Sequence, residues 1–270
     1  MEAEVIGFIL AILVGISLGL IGSGGSILTV PVLVYVMSVE PILATAYSLF
    51  VVGATSLVGG VQNVINKQVD FKTVLIFGIP SIISVYLTRA FLMPLIPHEL
   101  FSVGPLEITK PIALMVLFAI VMIFAAFSMI RPCPDCNNTD TGKIKYNYPM
   151  ILLEGTVVGL LTGLIGAGGG FLIIPALVLL AKMPMKLAVG TSLFIIAAKS
   201  LIGFLGDVQS SQTIDWSLLL SFTGLSTLGI LIGFYLSRKI SGVKLKTAFG
   251  WFVLVMGIYI LISELFLNHS

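Results

Sequence analysis

Charged side chains are scarce in this chain. Asp, Glu, Lys and Arg make up 10% of its 270 residues, against roughly a quarter in a soluble globular domain. That is too little polar surface to cover a water-soluble fold of this length. Hydrophobic residues make up 58% and the mean hydropathy is +1.15, so the chain reads as an integral membrane protein. The formal net charge is only +2 and the basic residues are scattered, which excludes nucleic acid as a partner. Alternating polarity over about ten residues, the mark of a transmembrane strand, is also missing. Unbroken apolar runs such as Ile112–Met129 and Phe249–Ile262 take its place, so the spans are helices in a lipid bilayer. The N-terminal stretch lacks the basic residues and small-x-small cleavage site of a secretory signal; with Glu2 and Glu4 in it, it reads as the first membrane segment. Glycine (28) and proline (12) are plentiful, as they are in membrane helices.

The chain repeats itself. From Gly15–Val34 to Gly159–Val178, at an offset of 144 residues, 11 of 20 positions are identical without a gap. Ala44, Ser48, Leu49, Phe50 and Ser56 match Ala188, Ser192, Leu193, Phe194 and Ser200 in the same register. Further on, Asp70-Phe71 matches Asp215-Trp216, and Tyr86-Leu-Thr-Arg89 matches Tyr235-Leu-Ser-Arg238. The expected organisation is a first repeat, 1–130, a polar connecting loop, 131–148, and a second repeat, 149–270. The first repeat has a run broken by glycines, 5–37, then spans 42–65, 73–92 and 111–130. The second has a broken run, 150–181, then spans 187–206, 216–237 and 247–266.

Charge placement indicates how the broken runs meet the membrane. If each enters and leaves on one side as a hairpin, each repeat crosses three times and the second is inverted. Eleven of the 14 basic residues then share one face, Arg89 and Lys110 lie on the other, and Lys199 lies within a span. If each broken run crosses once, the split is 8 to 5. The positive-inside rule favours the hairpins. Length agrees, because Val5–Met37 as one helix would be about 50 Å long in a hydrocarbon core of roughly 30 Å. The expected fold is an all-α polytopic membrane protein of two inverted repeats, each a glycine-broken helical hairpin plus three transmembrane helices. Both termini would face outside and the 131–148 loop the cytoplasm.

Inverted repeats with broken helices are the architecture of secondary transporters, with substrate near the midplane where the breaks meet. Backbone at membrane depth survives unpaired only where it lines a cavity. A helix N-terminus follows each break and makes an anion site. The candidate tips are Gly22, Ser23, Gly24, Gly25 and Ser26, and Gly166, Ala167, Gly168, Gly169 and Gly170. A double glycine inside a helix costs about 2 kcal/mol of propensity, which asks for a purpose. Gly15, Gly19, Gly159 and Gly163 have the spacing of helix contacts and read as packing. A dinucleotide reading of Gly22-x-Gly24 fails for want of a third glycine and a strand–turn–helix context.

Lys199 lies mid-span among apolar neighbours, at a cost of at least about 2.5 kcal/mol; its repeat equivalent is Thr55. It would counter an anionic substrate or lose a proton during the cycle. The plainer alternative is a charge that snorkels or pairs with a carboxylate such as Asp207. Ser48, Ser192 and Thr191 are secondary candidates, set against the common habit of membrane hydroxyls to bond their own helix. Asp70 and Asp215 read as helix caps, and Tyr86/Arg89 and Tyr235/Arg238 as interface anchors.

Cys133 and Cys136 fall together in the connecting loop as Cys-Pro-Asp-Cys. The spacing fits a redox pair or half a zinc site, and a homodimer could supply four thiolates. They are weak metal candidates, with no histidine nearby.

The doubled glycine-x-x-glycine-x-glycine-glycine-small pattern with a following proline stands as Gly19-Leu-Ile-Gly22-Ser-Gly24-Gly25-Ser26…Pro31 and Gly163-Leu-Ile-Gly166-Ala-Gly168-Gly169-Gly170…Pro175. It resembles the TauE/SafE sulfite exporter family, also called the toluenesulfonate uptake permease family. The likeness covers essentially the whole chain; the Cys-Pro-Asp-Cys loop and the outer loop Met93–Lys110 are not part of it. It implies a permease for small sulfur-containing anions such as sulfite or sulfonates, in a prokaryotic-type plasma membrane. No enzyme activity or cofactor is expected. With no ATP-binding motif in the chain, a gradient, of protons for example, would drive transport. The rival readings are a membrane thiol–disulfide carrier working through Cys133/Cys136 and a passive anion channel.

Overall fold

The computed structural model describes residues 2–22, 25–97, 99–103, 106–130, 148–165, 170, 173–174, 177, 183, 185–208, 214–237 and 242–264. Helix α1 (Glu2–Ile21) ends where Gly22 takes φ +84°, a left-handed turn that suits glycine. Helix α2 (Ser26–Pro31) runs on into a π-helical turn, Val32–Val36. Helix α3 (Pro41–Ile65) starts with proline at its first turn and the Glu40 carboxylate on the amides of Ile42 and Leu43. Helix α4 (Phe71–Leu87) continues through a π-helical turn, Thr88–Leu92, to Leu95. Then come α5 (Lys110–Ile130), α6 (Tyr148–Ile165), α7 (Met185–Val208), α8 (Trp216–Ser237) and α9 (Gly242–Ile262). The segment expected as an outer loop carries the one addition to the helices among the described residues. It is an antiparallel ribbon of β1 (Glu99–Val103) and β2 (Leu106–Thr109).

The caps read from sequence are present. Asp70 accepts from the amides of Lys72 and Thr73, both at 3.3 Å, and from the Thr73 hydroxyl at 2.6 Å. Asp215 accepts from the Leu218 amide at 3.1 Å. Asp70→Ala is expected to cost about 1 kcal/mol, seen as a lower melting temperature in detergent; an unchanged melt would mean the cap carries no net stability.

Glycines decide how closely the helices approach. Gly15 and Gly19 on α1 lie against Gly229 and Gly233 on α8, in register and running the same way. On α6, Gly155 and Gly159 lie against the main chain of α4 at Phe77 and Ser81, and Gly163 against Thr88. All four glycines assigned to helix packing therefore do pack. Between α3 and α7 the direction is opposite, with Gly53 against Leu201 and Gly60 against Phe194. Helices α5 and α9 lie along each other and close a core of Ile21, Ile27, Phe118, Met122, Ile165 and Val253.

The outer faces are apolar. On α4, Leu75, Ile79, Ile83 and Leu87 recur every four residues and stay about half exposed. Such a stripe in water would be an aggregation site; in a bilayer it is the lipid face. Among the described residues, five helical segments are long and apolar enough to cross a membrane: Glu4–Ile21, Pro41–Ile65, Phe71–Leu95, Leu187–Val208 and Trp216–Ser237.

Candidate functional site at the crossing of two buried helices

Helices α3 and α7 are the most enclosed of the five, with two-thirds of each window buried, and they carry hydroxyls where a plain packing helix would carry methyls. Ser48, Thr55 and Ser56 on α3, and Thr191, Ser192 and Ser200 on α7, are all fully buried. The hydroxyls of Ser48, Thr55, Ser56 and Ser200 have no hydrogen-bond partner among the described residues. Buried polar atoms normally find one, and exceptions point to an occupant or to a role in function.

Lys199 stands in this lane with no exposed surface. Its ammonium donates to the Thr162 hydroxyl on α6 at 3.3 Å. Asp207, the carboxylate that sequence offers as its partner, instead meets Arg89 at 3.3 Å, and no carboxylate pairs with Lys199 among the described residues. Its position is a consequence of register. With Gly53 against Leu201 and Gly60 against Phe194, antiparallel stepping sets Thr55 level with Lys199. These two are also equivalent positions of the repeat, so the helices cross where the two copies meet on the same residue position.

The other sequence candidates scatter around this point. Ser48 and Ser192 each lie seven residues before it on their own helices, about 10 Å away in opposite directions. Ser192 donates to its own helix at the Val189 carbonyl, 2.8 Å away, and the Thr191 hydroxyl accepts the Asp70 amide at 2.9 Å. At the first tip, Gly22 lies against Val189, ten residues before Lys199, and a Cβ on Gly25 would overlap Ser17 and Val14 of α1. These two glycines serve the turn and the seating of α2 on α1. Ser26 is buried at the start of α2. Ser23, Gly24, Gly166, Ala167, Gly168 and Gly169 lie outside the described residues, as do Cys133 and Cys136; Gly170 is helical and buried. The second broken run still reaches the lysine, through Thr162 four residues before Gly166. Sequence reasoning missed Thr162, Ser56, Ser200 and Arg89. The doubled Ser56/Ser200 was a usable signal, whereas nothing local marks Thr162.

Arg89 corrects a sequence expectation. It is no interface anchor, being only 1% exposed. Its Nη1 donates to the Thr45 hydroxyl at 3.0 Å and to Asp207 at 3.3 Å. Elsewhere, a cavity of about 410 Å³ is lined by Tyr35, Glu40, Pro111 and Glu264, with the Tyr35 hydroxyl on Glu264 at 2.8 Å. Two carboxylates make it a poor seat for an anion.

Apolar faces turned outward, and a buried cation beside buried hydroxyls between two enclosed spans, are features that suit a membrane transporter. The chain belongs to the TauE/SafE family: the profile described as "Sulfite exporter TauE/SafE" matches residues 7–260. Its relatives carry names of the same class. A "Probable membrane transporter protein" of Xylella fastidiosa is 28% identical over 257 residues, covering 92% of this chain and 91% of the relative. The "Probable membrane transporter protein YunE" of Bacillus subtilis is 31% identical over 253 residues, covering 86% and 89%. One from Methanocaldococcus jannaschii is 27% identical over 272 residues, covering 94% and 95%. No solved structure matches the chain significantly.

Proposed function

We propose that the protein is a secondary transporter of small sulfur-containing anions, sulfite or an organosulfonate, and that the anion passes Lys199 by alternating access. The observation that carries this is the lysine itself. It is fully buried, bonded to one hydroxyl, and set where the repeats meet. A cation at that depth is costly without a partner, and a transported anion is a partner that can also leave. The hydroxyls of Thr55, Ser56 and Ser200, unpaired among the described residues, would donate to oxyanion oxygens, and the glycine breaks at 22–26 and 166–170 would offer backbone N–H groups.

The motion would be one repeat rocking against an inverted copy. Two features support the inversion. If each broken run crossed once, both repeats would point the same way and α3 would run parallel to α7; they run antiparallel. In the first broken run Gly7 lies against Met37, as the two ends of a hairpin would. The driving force would be an ion gradient, with protons the first to test.

Purified protein in proteoliposomes is expected to move sulfite in a way that depends on an imposed proton gradient, with competition among thiosulfate, taurine, sulfoacetate and sulfate naming the substrate class. Flux without gradient dependence would make it a channel. Absence of flux with every anion, in folded protein, would remove the sulfur-anion assignment. The variant Cys133→Ser/Cys136→Ser is expected to keep full flux; loss would move the working site to the connecting loop.

A further inference from the structure

A second buried cation stands about 12 Å along α7 from the first, since Asp207 follows Lys199 by eight residues and holds Arg89. The arginine is presented by the π-helical turn Thr88–Leu92. Gly206 lets α7 press onto that turn, where a Cβ would come within 2.9 Å of the Arg89 Cβ. The guanidinium has two donor edges. Asp207 and Thr45 both bind Nη1. The other edge, Nε and Nη2, is buried and has no hydrogen-bond partner among the described residues. That edge is the flat two-donor fork that grips two oxygens on one atom. Leaving it empty in a buried place carries a large desolvation cost.

The surroundings favour an anion. Lys110, nine-tenths buried, donates to the Met93 carbonyl and its charge couples to that of Arg89. Asp207 is the carboxylate against the guanidinium, and Glu40, the acid that Lys110 feels, is taken up in capping α3.

We propose that the Nε–Nη2 edge of Arg89 is a second anion subsite, taking the two-oxygen face of a sulfite or sulfonate at the end of the α3–α7 lane where α7 finishes. An anion would be gripped there before or after Lys199, while Asp207 and Thr45 hold the guanidinium by its far side. The subsite rests on the reading of the protein as an anion transporter, so its test reads binding rather than flux. Equilibrium dialysis of radiolabelled sulfite against protein in detergent is expected to give two sites per chain. Lys199→Met should leave one. Arg89→Lys keeps the charge opposite Asp207 but loses the fork, and should weaken the other site by about ten- to a hundredfold. Asp207→Asn removes the carboxylate that competes for the guanidinium and should tighten that site severalfold, a change opposite to what damage to a structural ion pair would cause. A single site lost in Lys199→Met and untouched in Arg89→Lys would overturn the subsite and spare the transporter reading. Weaker binding in Asp207→Asn would also overturn it. No binding of sulfite, and none of radiolabelled taurine or sulfoacetate, to the unaltered protein would overturn both.

Discussion

Lys199→Met is expected to lower sulfite flux by about a hundredfold and to leave the protein at least as stable as before. The first half follows from the partner the cation lacks: a charge-assisted bond to a substrate oxygen contributes about 1.5–3 kcal/mol, and each 1.4 kcal/mol is tenfold. The second half follows from burial. With no exposed surface, one hydroxyl 3.3 Å away and no carboxylate against it among the described residues, the ammonium contributes no ion pair there that folding would miss. Methionine of similar length fills the same space without desolvating a charge, an exchange that is often neutral or stabilising. Flux in proteoliposomes and the melting temperature in detergent separate the possibilities. Full flux would remove the lysine from the mechanism. Lost flux together with a large fall in melting temperature would make it a structural cation.

The largest effect on stability is expected where α1 meets α8. A Cβ on Gly15 would fall on the Ser226 carbonyl, and one on Gly233 would come within 2.9 Å of the Gly19 Cα. Both obstacles are main chain, which cannot rotate aside as a side chain can. Gly15→Ala is expected to cost about 1–3 kcal/mol, and Gly15→Leu to prevent the pair from closing. Gly224, on the same α8, has nothing within 4 Å of its would-be Cβ. Gly224→Ala should therefore be neutral, or stabilising by up to about 1 kcal/mol through helix propensity. Equal melting temperatures for Gly15→Ala and Gly224→Ala would show that the contact is looser than its geometry.

Sequence alone was enough for the membrane, the duplication, the packing glycines and the caps at Asp70 and Asp215, for one physical reason. Each depends on residues close in the chain or on a pattern that repeats along it. A shortage of charge, a small residue every four positions, or an acid ahead of an apolar run keeps its meaning whatever else the chain does. Lys199 was legible on the same ground, since a lone ammonium in an apolar run is costly wherever the helix lies.

What the lysine faces was a different matter. Asp207 looked like its partner because it is near in sequence, yet it pairs with Arg89, 118 residues away. Arg89 in turn looked like an anchor because an arginine at a span end usually snorkels. Thr162 and Lys199 meet because α6 and α7 converge, and neither helix carries a mark of the other. Ser48 and Ser192 matched in sequence yet lie on opposite sides of the crossing. Antiparallel helices bring equivalent residues together only at the point where they cross, and every other matched pair moves apart from there. Which residues share that point is a matter of register between two spans about 140 residues apart, and only the tertiary structure decides it.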